Sequence, residues 1–159
     1  TSVQVRRDLM LIGYSGTLRK GYNIEELIMS GVPRTDSIYY YNASSLHLLT
    51  SDFEGSPNSV KEAMACETAV VASAVGGVKE VVVDNETGIL VHLEQQDVAP
   101  FEPINPDKFS RDLADGINKL INNKALRESM AKKGRKRVED HFDWIAIAKQ
   151  VEELYKSLI

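Results

Sequence analysis

Cysteine is almost absent from this sequence, and other patterns that define protein classes are missing too. The single Cys66 excludes a disulfide within the chain. No stretch approaches the roughly 18 consecutive apolar residues of a membrane span. The N-terminal residues also lack the charged-then-apolar pattern of a signal peptide. These absences predict a cytoplasmic protein without an integral membrane segment.

Basic charge is not in excess, because 19 Lys and Arg stand against 23 Asp and Glu, a net charge of −4. The one basic cluster, residues 132–140, is interleaved with acids at helical spacing, which is typical of a solvated helix face. His92 and His141 have no partners at metal-ligand spacing. We therefore predict neither nucleic-acid binding nor a metal site.

Short apolar runs alternate with helical patterns along the first 92 residues. Buried parallel strands are predicted at residues 9–12, 46–49 and 69–72. Helices are predicted at residues 24–28, 58–66 and 77–82. This alternation predicts an α/β fold, a Rossmann-like parallel sheet flanked by helices, with ligands bound at the carboxyl ends of the strands.

The chain is predicted to form a single domain over residues 1–159, a length sufficient for a substantial core. Residues 1–92 supply the β-α units, residues 93–105 a proline-rich surface loop, and residues 106–159 a helical C-terminal segment. Asn105 is predicted to cap the first of these helices, with Pro106 in its first turn. The chain begins with Thr1 rather than Met, which suggests a processed piece or a fragment.

The last helix is predicted to begin at a capping Asp143, with Trp144 as its packing anchor. Its apolar residues Ile147, Val151 and Leu154 fall on one face at helical spacing. Without a covering partner, this face would favour self-association.

The stretch SDFEGSPNSVKEAMAC, residues 51–66, carries the strongest functional signal. Ser56 is predicted to cap a helix with Pro57 in its first turn, so the first amides, near Asn58 and Ser59, lack intrahelical partners. Such amides carry partial positive charge and suit a phosphate or diphosphate.

Two carboxylates flank this phosphate position. Glu54 lies in the loop before the helix, and Glu62 projects from its second turn. Carboxylates accept hydrogen bonds from paired sugar hydroxyls. The pattern therefore suggests a phosphate between two polyols, as in a nucleotide sugar. Without the surrounding motif, the favoured interpretation would be an ordinary helix acid for Glu62 and a solvated loop residue for Glu54.

The same stretch resembles the E-x7-E signature of retaining glycosyltransferases with the GT-B fold, and residues 63–80 and 85–91 continue the family pattern. Residues 31–158 are similar to the C-terminal, donor-binding half of that fold. The tail around residues 141–144 resembles glycogen synthases of the bacterial and archaeal type, whereas residues 40–44 and 55–58 look more like capsule- or lipopolysaccharide-type sugar transferases.

The resemblance implies roles for individual residues. Glu54 would be the catalytic residue beside the donor sugar, and Glu62 would bind the ribose hydroxyls. The donor-binding residues implied are Gly55, Ser56, Asn58, Ser59, Val60, Glu62, Arg19 and Lys20. Arg19 and Lys20 are the only residues here that could answer to the basic pair with which the family neutralises the diphosphate.

The function implied is donor binding in a retaining hexosyltransferase that transfers a hexose only together with a missing N-terminal acceptor domain. The donor would be a nucleotide sugar such as UDP-glucose, ADP-glucose or GDP-mannose, without a metal or other cofactor. The isolated chain would bind donor weakly and transfer nothing. Two alternatives stay open: a stand-alone binding module for a nucleotide or sugar phosphate, and an engineered or chimeric half-domain with no activity.

Two further features have alternative interpretations. Gly76-Gly77 permits either a tight strand-to-helix turn or a close approach of backbone to the donor. His47 lies between two leucines of a predicted strand, which is typical of a structural histidine.

Overall fold

The computed structural model describes residues 37–97 and 103–158. The strand predicted at residues 9–12 and the helix predicted at residues 24–28 lie outside the described residues, as do Arg19 and Lys20. The boundaries predicted within residues 1–159 for a single domain stay a prediction.

Three parallel strands form the described sheet in the order β1-β2-β3. They are β1 (Leu46–Leu49), β2 (Ala69–Ser73) and β3 (Ile89–Val91). In the register, Leu46 lies opposite Ala69 and Val71 lies opposite Ile89. The predicted parallel Rossmann-like sheet is confirmed, and β3 is an additional strand that the apolar runs did not indicate.

Helices connect and flank these strands. In chain order they are α1 (Ser37–Ala43), α2 (Asn58–Ala65), α3 (Val78–Val81), α4 (Pro106–Ile121), α5 (Lys124–His141) and α6 (Trp144–Ser157). Because α2 joins β1 to β2 and α3 joins β2 to β3, the order is that of two successive β-α-β units. None of the helices in the described ranges combines the length and the apolar character needed to cross a membrane.

The core lies on both faces of β2, whose side chains alternate between two clusters. Val70 and Ala72 pack with α2 and α3 on one face, while Ala69 and Val71 pack with α4 and α5 on the other. All five residues of β2 are buried, as predicted for a strand covered on both faces. The same prediction is wrong for β1, where Leu48 is 44% exposed.

Asparagine and aspartate side chains mark the starts of the C-terminal helices. Asn105 Oδ1 accepts the backbone N–H of Lys108 at 3.0 Å, and Pro106 is the first residue of α4, as predicted. Asp143 caps α6 by accepting the N–H of Ile145, which is also as predicted. Asn123 caps α5 by accepting the N–H of Leu126 at 3.0 Å, a cap that was not predicted.

The basic cluster of α5 divides into two kinds of residue. Arg135 pairs with Glu139 at 2.8 Å along the exposed helix face, and Lys136 pairs with Asp140 in the same way, as the interleaved charges predicted. Arg137 differs, because its guanidinium donates to the carbonyl oxygens of Glu80 and Val81 on α3, each at 2.8 Å. It therefore ties α5 to the end of α3.

The last helix, α6, presents its apolar side chains outward in the described structure. Trp144 is 82% exposed, so its predicted role as a packing anchor is wrong. Leu154 and Leu158 are also exposed, and in the described part of the chain α6 packs mainly along α5.

The two ends of the predicted loop contact each other. The described parts of this loop are residues 93–97 and 103–105. Gln95 forms an isolated antiparallel bridge with Pro103, and the N–H of Ile104 donates to the carbonyl oxygen of Glu94 at 2.8 Å. Pairing of the two ends closes the loop at the carboxyl edge of the sheet.

Candidate functional site

The candidate site lies at the carboxyl edge of the sheet, where residues 50–57 leave β1 and lead into α2. The turn of residues 74–77 leaves β2, and residues 92–97 leave β3 at the same edge because the strands are parallel. In open α/β sheets ligands bind at this edge. Three loops therefore converge around the segment that the sequence singled out.

The loop of residues 51–56, here the 51–56 loop, is held by hydrogen bonds from the neighbouring strand and turn. The hydroxyl of Ser73, at the end of β2, donates to the carbonyl oxygen of Ser51 at 2.6 Å. The backbone N–H of Gly77 donates to the carbonyl oxygen of Glu54 at 3.0 Å. Both bonds are accepted by main-chain carbonyl oxygens of the loop, so neither uses a side chain of the loop.

The turn at Gly76-Gly77 packs backbone against backbone on this loop. A Cβ on Gly77 would overlap the carbonyl oxygen of Gly55, and a Cβ on Gly76 would overlap that of Glu54. Gly76 also has a φ of +41°, a conformation that L side chains rarely adopt. Of the two interpretations left open for this pair, the described contacts bear out the tight turn, which here supports the 51–56 loop.

Glu54 is half-buried, and its side chain is bonded within the loop itself. Its Oε1 accepts the hydroxyl of Ser51 at 2.7 Å. An ionised carboxylate offers about four acceptor positions, so this bond leaves capacity for ligand hydroxyls. The arrangement restrains the side chain where the sequence predicted the donor sugar.

The start of α2 differs by one residue from the prediction. Pro57 occupies the N-cap position, the helix begins at Asn58, and no side chain caps it. The predicted cap by Ser56 is wrong because Ser56 stands one residue too early. Its hydroxyl accepts the ammonium of Lys61 at 3.1 Å instead.

The first amides of α2 have no hydrogen-bond acceptor among the described residues. The earliest helical bond runs from the N–H of Lys61 to the carbonyl of Pro57 at 3.3 Å. The N–H groups of Asn58, Ser59 and Val60 come before this bond and make no helical hydrogen bond. Such amides, with the positive end of the helix dipole, suit an anion. Val60 can contribute only its backbone, since its side chain is buried in the core.

Glu62 lies in the second turn of α2 and is half-buried. The hydroxyl of Tyr41, from α1, donates to its Oε2 at 3.3 Å. Glu54 and Glu62 therefore flank the start of the helix as predicted, one in the loop before it and one in its second turn.

Comparison with known proteins decides the family. The sequence pattern described as "Glycosyl transferases group 1" matches residues 17–99, just over half of the chain. The chain belongs to this family. The matched segment includes the sheet, the 51–56 loop and α2.

Individual relatives agree with this assignment. The chain is 40% identical over 97 residues to the alpha-maltose-1-phosphate synthase of Mycolicibacterium smegmatis, covering 61% of this chain and 23% of that protein. The solved sucrose-phosphate synthase from Thermosynechococcus elongatus matches with a TM-score of 0.61 and 30% identity, over 85% of this chain and 33% of that one. Anabaena HepE in complex with UDP-glucose matches with a TM-score of 0.59 and 27% identity, over 76% and 30%.

The group 1 domain thus has the predicted GT-B Rossmann-like fold with C-terminal helices. It spans about a quarter to a third of the length of these three relatives. The individual roles assigned to Glu54, Glu62 and the amides of α2 stay predictions.

Sequence reasoning missed two residues of this site in the group 1 domain. Lys61 has no predicted role at the site, yet its ammonium reaches back to Ser56 beside the start of α2. Tyr41 contacts Glu62 from another helix, 21 positions earlier in the chain. A basic residue one turn into an uncapped helix is a signal that could have indicated Lys61, whereas no local pattern indicates the contact of Tyr41.

A shallow cleft of about 370 Å³ adjoins the 51–56 loop on the side of β3. Its floor combines Val75 and Leu93 with polar residues of the segment that follows β3, among them Gln95. The amide of Gln95 donates to the carbonyl oxygen of Asp52 at 2.5 Å and so joins that segment to the loop.

His47 of β1 lies behind the site and is structural, as predicted. Its Nε2 is buried without a hydrogen-bond partner, and its ring meets that of Tyr41 edge to face at 5.6 Å. Burial lowers the pKa of His47 to about 4, against a smaller upward effect of the Glu62 charge. Among the residues that the structure describes, no three His, Cys, Asp or Glu side chains cluster in a way that could hold a metal ion.

Proposed function

We propose that this group 1 domain binds the nucleotide-sugar donor of a retaining hexosyltransferase. The observation that carries the proposal is the start of α2: uncapped amides of Asn58 and Ser59 stand between two half-buried carboxylates, Glu54 and Glu62. A diphosphate at these amides would direct the ribose to Glu62 and the hexose to Glu54. Gly55, Ser56 and Val60 complete the loop and the helix start around it.

The donor class is supported by the relatives. The Anabaena HepE structures hold UDP or UDP-glucose, and the mycobacterial and cyanobacterial relatives are sugar-phosphate synthases by name. UDP-glucose, ADP-glucose and GDP-mannose are the donors we would test. In the proposal no metal or other cofactor takes part. Arg19 and Lys20 place positive charge beside the diphosphate and so neutralise part of its negative charge.

Transfer in this proposal is a front-face displacement. The acceptor hydroxyl oxygen bonds to the anomeric carbon on the face from which the diphosphate leaves, and its proton passes to an oxygen of that diphosphate. The protein contributes positioning and electrostatic stabilisation, with Glu54 beside the reacting sugar. Because the acceptor must be held from the other side, transfer also requires an N-terminal acceptor domain.

The 159-residue chain alone is then expected to bind donor weakly. A helix start contributes roughly 0.3–2 kcal/mol toward an anion. With two carboxylate-hydroxyl contacts the total reaches about 4–5 kcal/mol, which corresponds to a dissociation constant of ~1 mM.

Self-association through the exposed face of α6 is part of the same proposal, since no other element covers that face in the described structure.

Two alternatives would give different results in a binding experiment. A stand-alone nucleotide or sugar-phosphate module would bind its ligand in the micromolar range or tighter without a partner. An engineered or chimeric half-domain without activity would fold and bind no nucleotide sugar.

The test is Glu62→Ala, titrated with UDP-glucose by NMR and compared with Glu128→Ala on the exposed face of α5. We expect the first variant to lose about 1–3 kcal/mol of binding free energy and the second to match wild type. Free glucose should bind both variants alike. Equal affinity of Glu62→Ala and wild type for UDP-glucose would remove Glu62 as the ribose ligand.

A further inference from the structure

Tyr41 stands out among residues near the site because three different contacts fix it. The hydroxyl of Thr68 donates to its carbonyl oxygen at 2.7 Å, which anchors its main chain beside the start of β2. Its ring meets the ring of His47 edge to face at 5.6 Å. Its hydroxyl donates to Oε2 of Glu62 at 3.3 Å.

These contacts have a consequence for Glu62. A glutamate side chain has three rotatable torsions and loses substantial entropy when a ligand orders it. The ring of Tyr41 is half-buried against the core and held by His47, so its hydroxyl offers the Glu62 carboxylate a fixed donor. The two oxygens of a carboxylate offer about four acceptor positions, so a bond to Oε2 is compatible with further bonds to the two hydroxyls of a ribose.

We propose that Tyr41 is a positioning residue for nucleotide binding, which orients the Glu62 carboxylate before the ribose arrives. The inference rests on the proposed function, because it needs Glu62 to be the ribose ligand. Tyr41 itself does not touch the nucleotide. Its effect therefore depends on Glu62 and on the ribose hydroxyls.

Tyr41→Phe is the informative variant, because it removes the hydroxyl and keeps the ring that packs on His47. The matched control is Tyr39→Phe on the same helix, where the side chain is 72% exposed. Each variant of the 159-residue chain is titrated with UDP and with 2′-deoxy-UDP by NMR. The same titrations are made in the Glu62→Ala background.

We expect Tyr41→Phe to weaken UDP binding about three- to tenfold, as for loss of one hydrogen bond of ordinary strength, and Tyr39→Phe to leave it unchanged. The loss should be smaller for 2′-deoxy-UDP and should vanish in the Glu62→Ala background, because the two residues act as one unit. A cooperative unfolding transition in urea serves as the check that each variant is folded.

Other outcomes overturn the inference in distinguishable ways. A loss of equal size for UDP and 2′-deoxy-UDP, or one that adds to that of Glu62→Ala, would show that Tyr41 acts through the fold. If Glu62→Ala weakens UDP binding and Tyr41→Phe does not, only the positioning role of Tyr41 is overturned. If the wild-type chain shows no saturable UDP binding, the proposed function is overturned, and the positioning role of Tyr41 is overturned with it.

Discussion

The backbone N–H of Gly77 and the carbonyl oxygen of Glu54 form a 3.0 Å hydrogen bond that joins the turn after β2 to the loop after β1. Because Gly77 also packs its Cα against the carbonyl of Gly55, the two loops meet without an intervening side chain. The placement of the 51–56 loop is therefore set by main-chain geometry.

Gly77→Ala should disturb this junction. The added Cβ would overlap a backbone atom that no side-chain rotation can move, and we expect a loss of about 2–3 kcal/mol in the free energy of unfolding in urea. Gly55→Ala is the matched control, since its Cβ would meet nothing within 4 Å, and it should stay within about 0.5 kcal/mol of wild type. Equal losses in both variants would contradict the packing described.

The stability of the domain should depend on pH through His47. Its pKa is about 4 when folded and 6.5 in its ordinary state, so the unfolded chain binds the extra proton between these values. The contribution of neutral His47 is present above pH 6.5 and is lost as the pH falls toward 4. We expect about 2 kcal/mol of this loss between pH 7.5 and pH 5.

The measurement is urea unfolding at both pH values for wild type, His47→Leu and the control His92→Gln. His47→Leu should lack that part of the pH dependence, whereas His92→Gln, at an exposed position, should keep it. The account of His47 does not survive if His47→Leu and wild type lose the same free energy on acidification.

Arg137 should stabilise the fold through its bonds to α3. Its guanidinium donates to two carbonyls at the end of that helix, and Lys cannot reproduce both bonds. We expect Arg137→Lys to lower the free energy of unfolding by about 1–2 kcal/mol. Lys136→Ala, which removes an exposed ion pair, should change it by less than about 1 kcal/mol; a larger effect of Lys136→Ala would reverse this ranking.

Lys61 should contribute to diphosphate binding under the proposed function. Its ammonium lies 3.1 Å from Ser56 Oγ, beside the start of α2. We expect Lys61→Ala to weaken UDP binding by about 0.5–1 kcal/mol at low salt, and less at high salt, because salt screens exposed charges. Lys79→Ala on α3 serves as the control of equal charge. A loss that is the same for UDP and uridine would speak against a diphosphate contact.

The sequence predicted those parts of the molecule that depend on local patterns. The apolar runs placed β1 and β2, and the positions of Asn105 and Asp143 marked two helix starts, because strand burial and capping are properties of neighbouring residues. The pair Ser56-Pro57 likewise indicated a loop followed by a helix, with the predicted N-cap one residue too early.

Features that depend on distant residues were not predictable in this way. The bond from Ser73 to Ser51 and that from Tyr41 to Glu62 join segments more than 20 positions apart. The three-residue β3 is too short to show a period. Trp144, predicted to anchor α6 by packing, is exposed because α6 lies at the outside of the described structure.

The most direct test of the central claim is an amide-shift NMR titration of the 159-residue chain with UDP-glucose up to several millimolar. The account predicts saturable shifts centred on Asn58, Ser59 and Glu62, with a dissociation constant of ~1 mM. A well-dispersed spectrum that shows no shift at these residues would contradict donor binding at the start of α2.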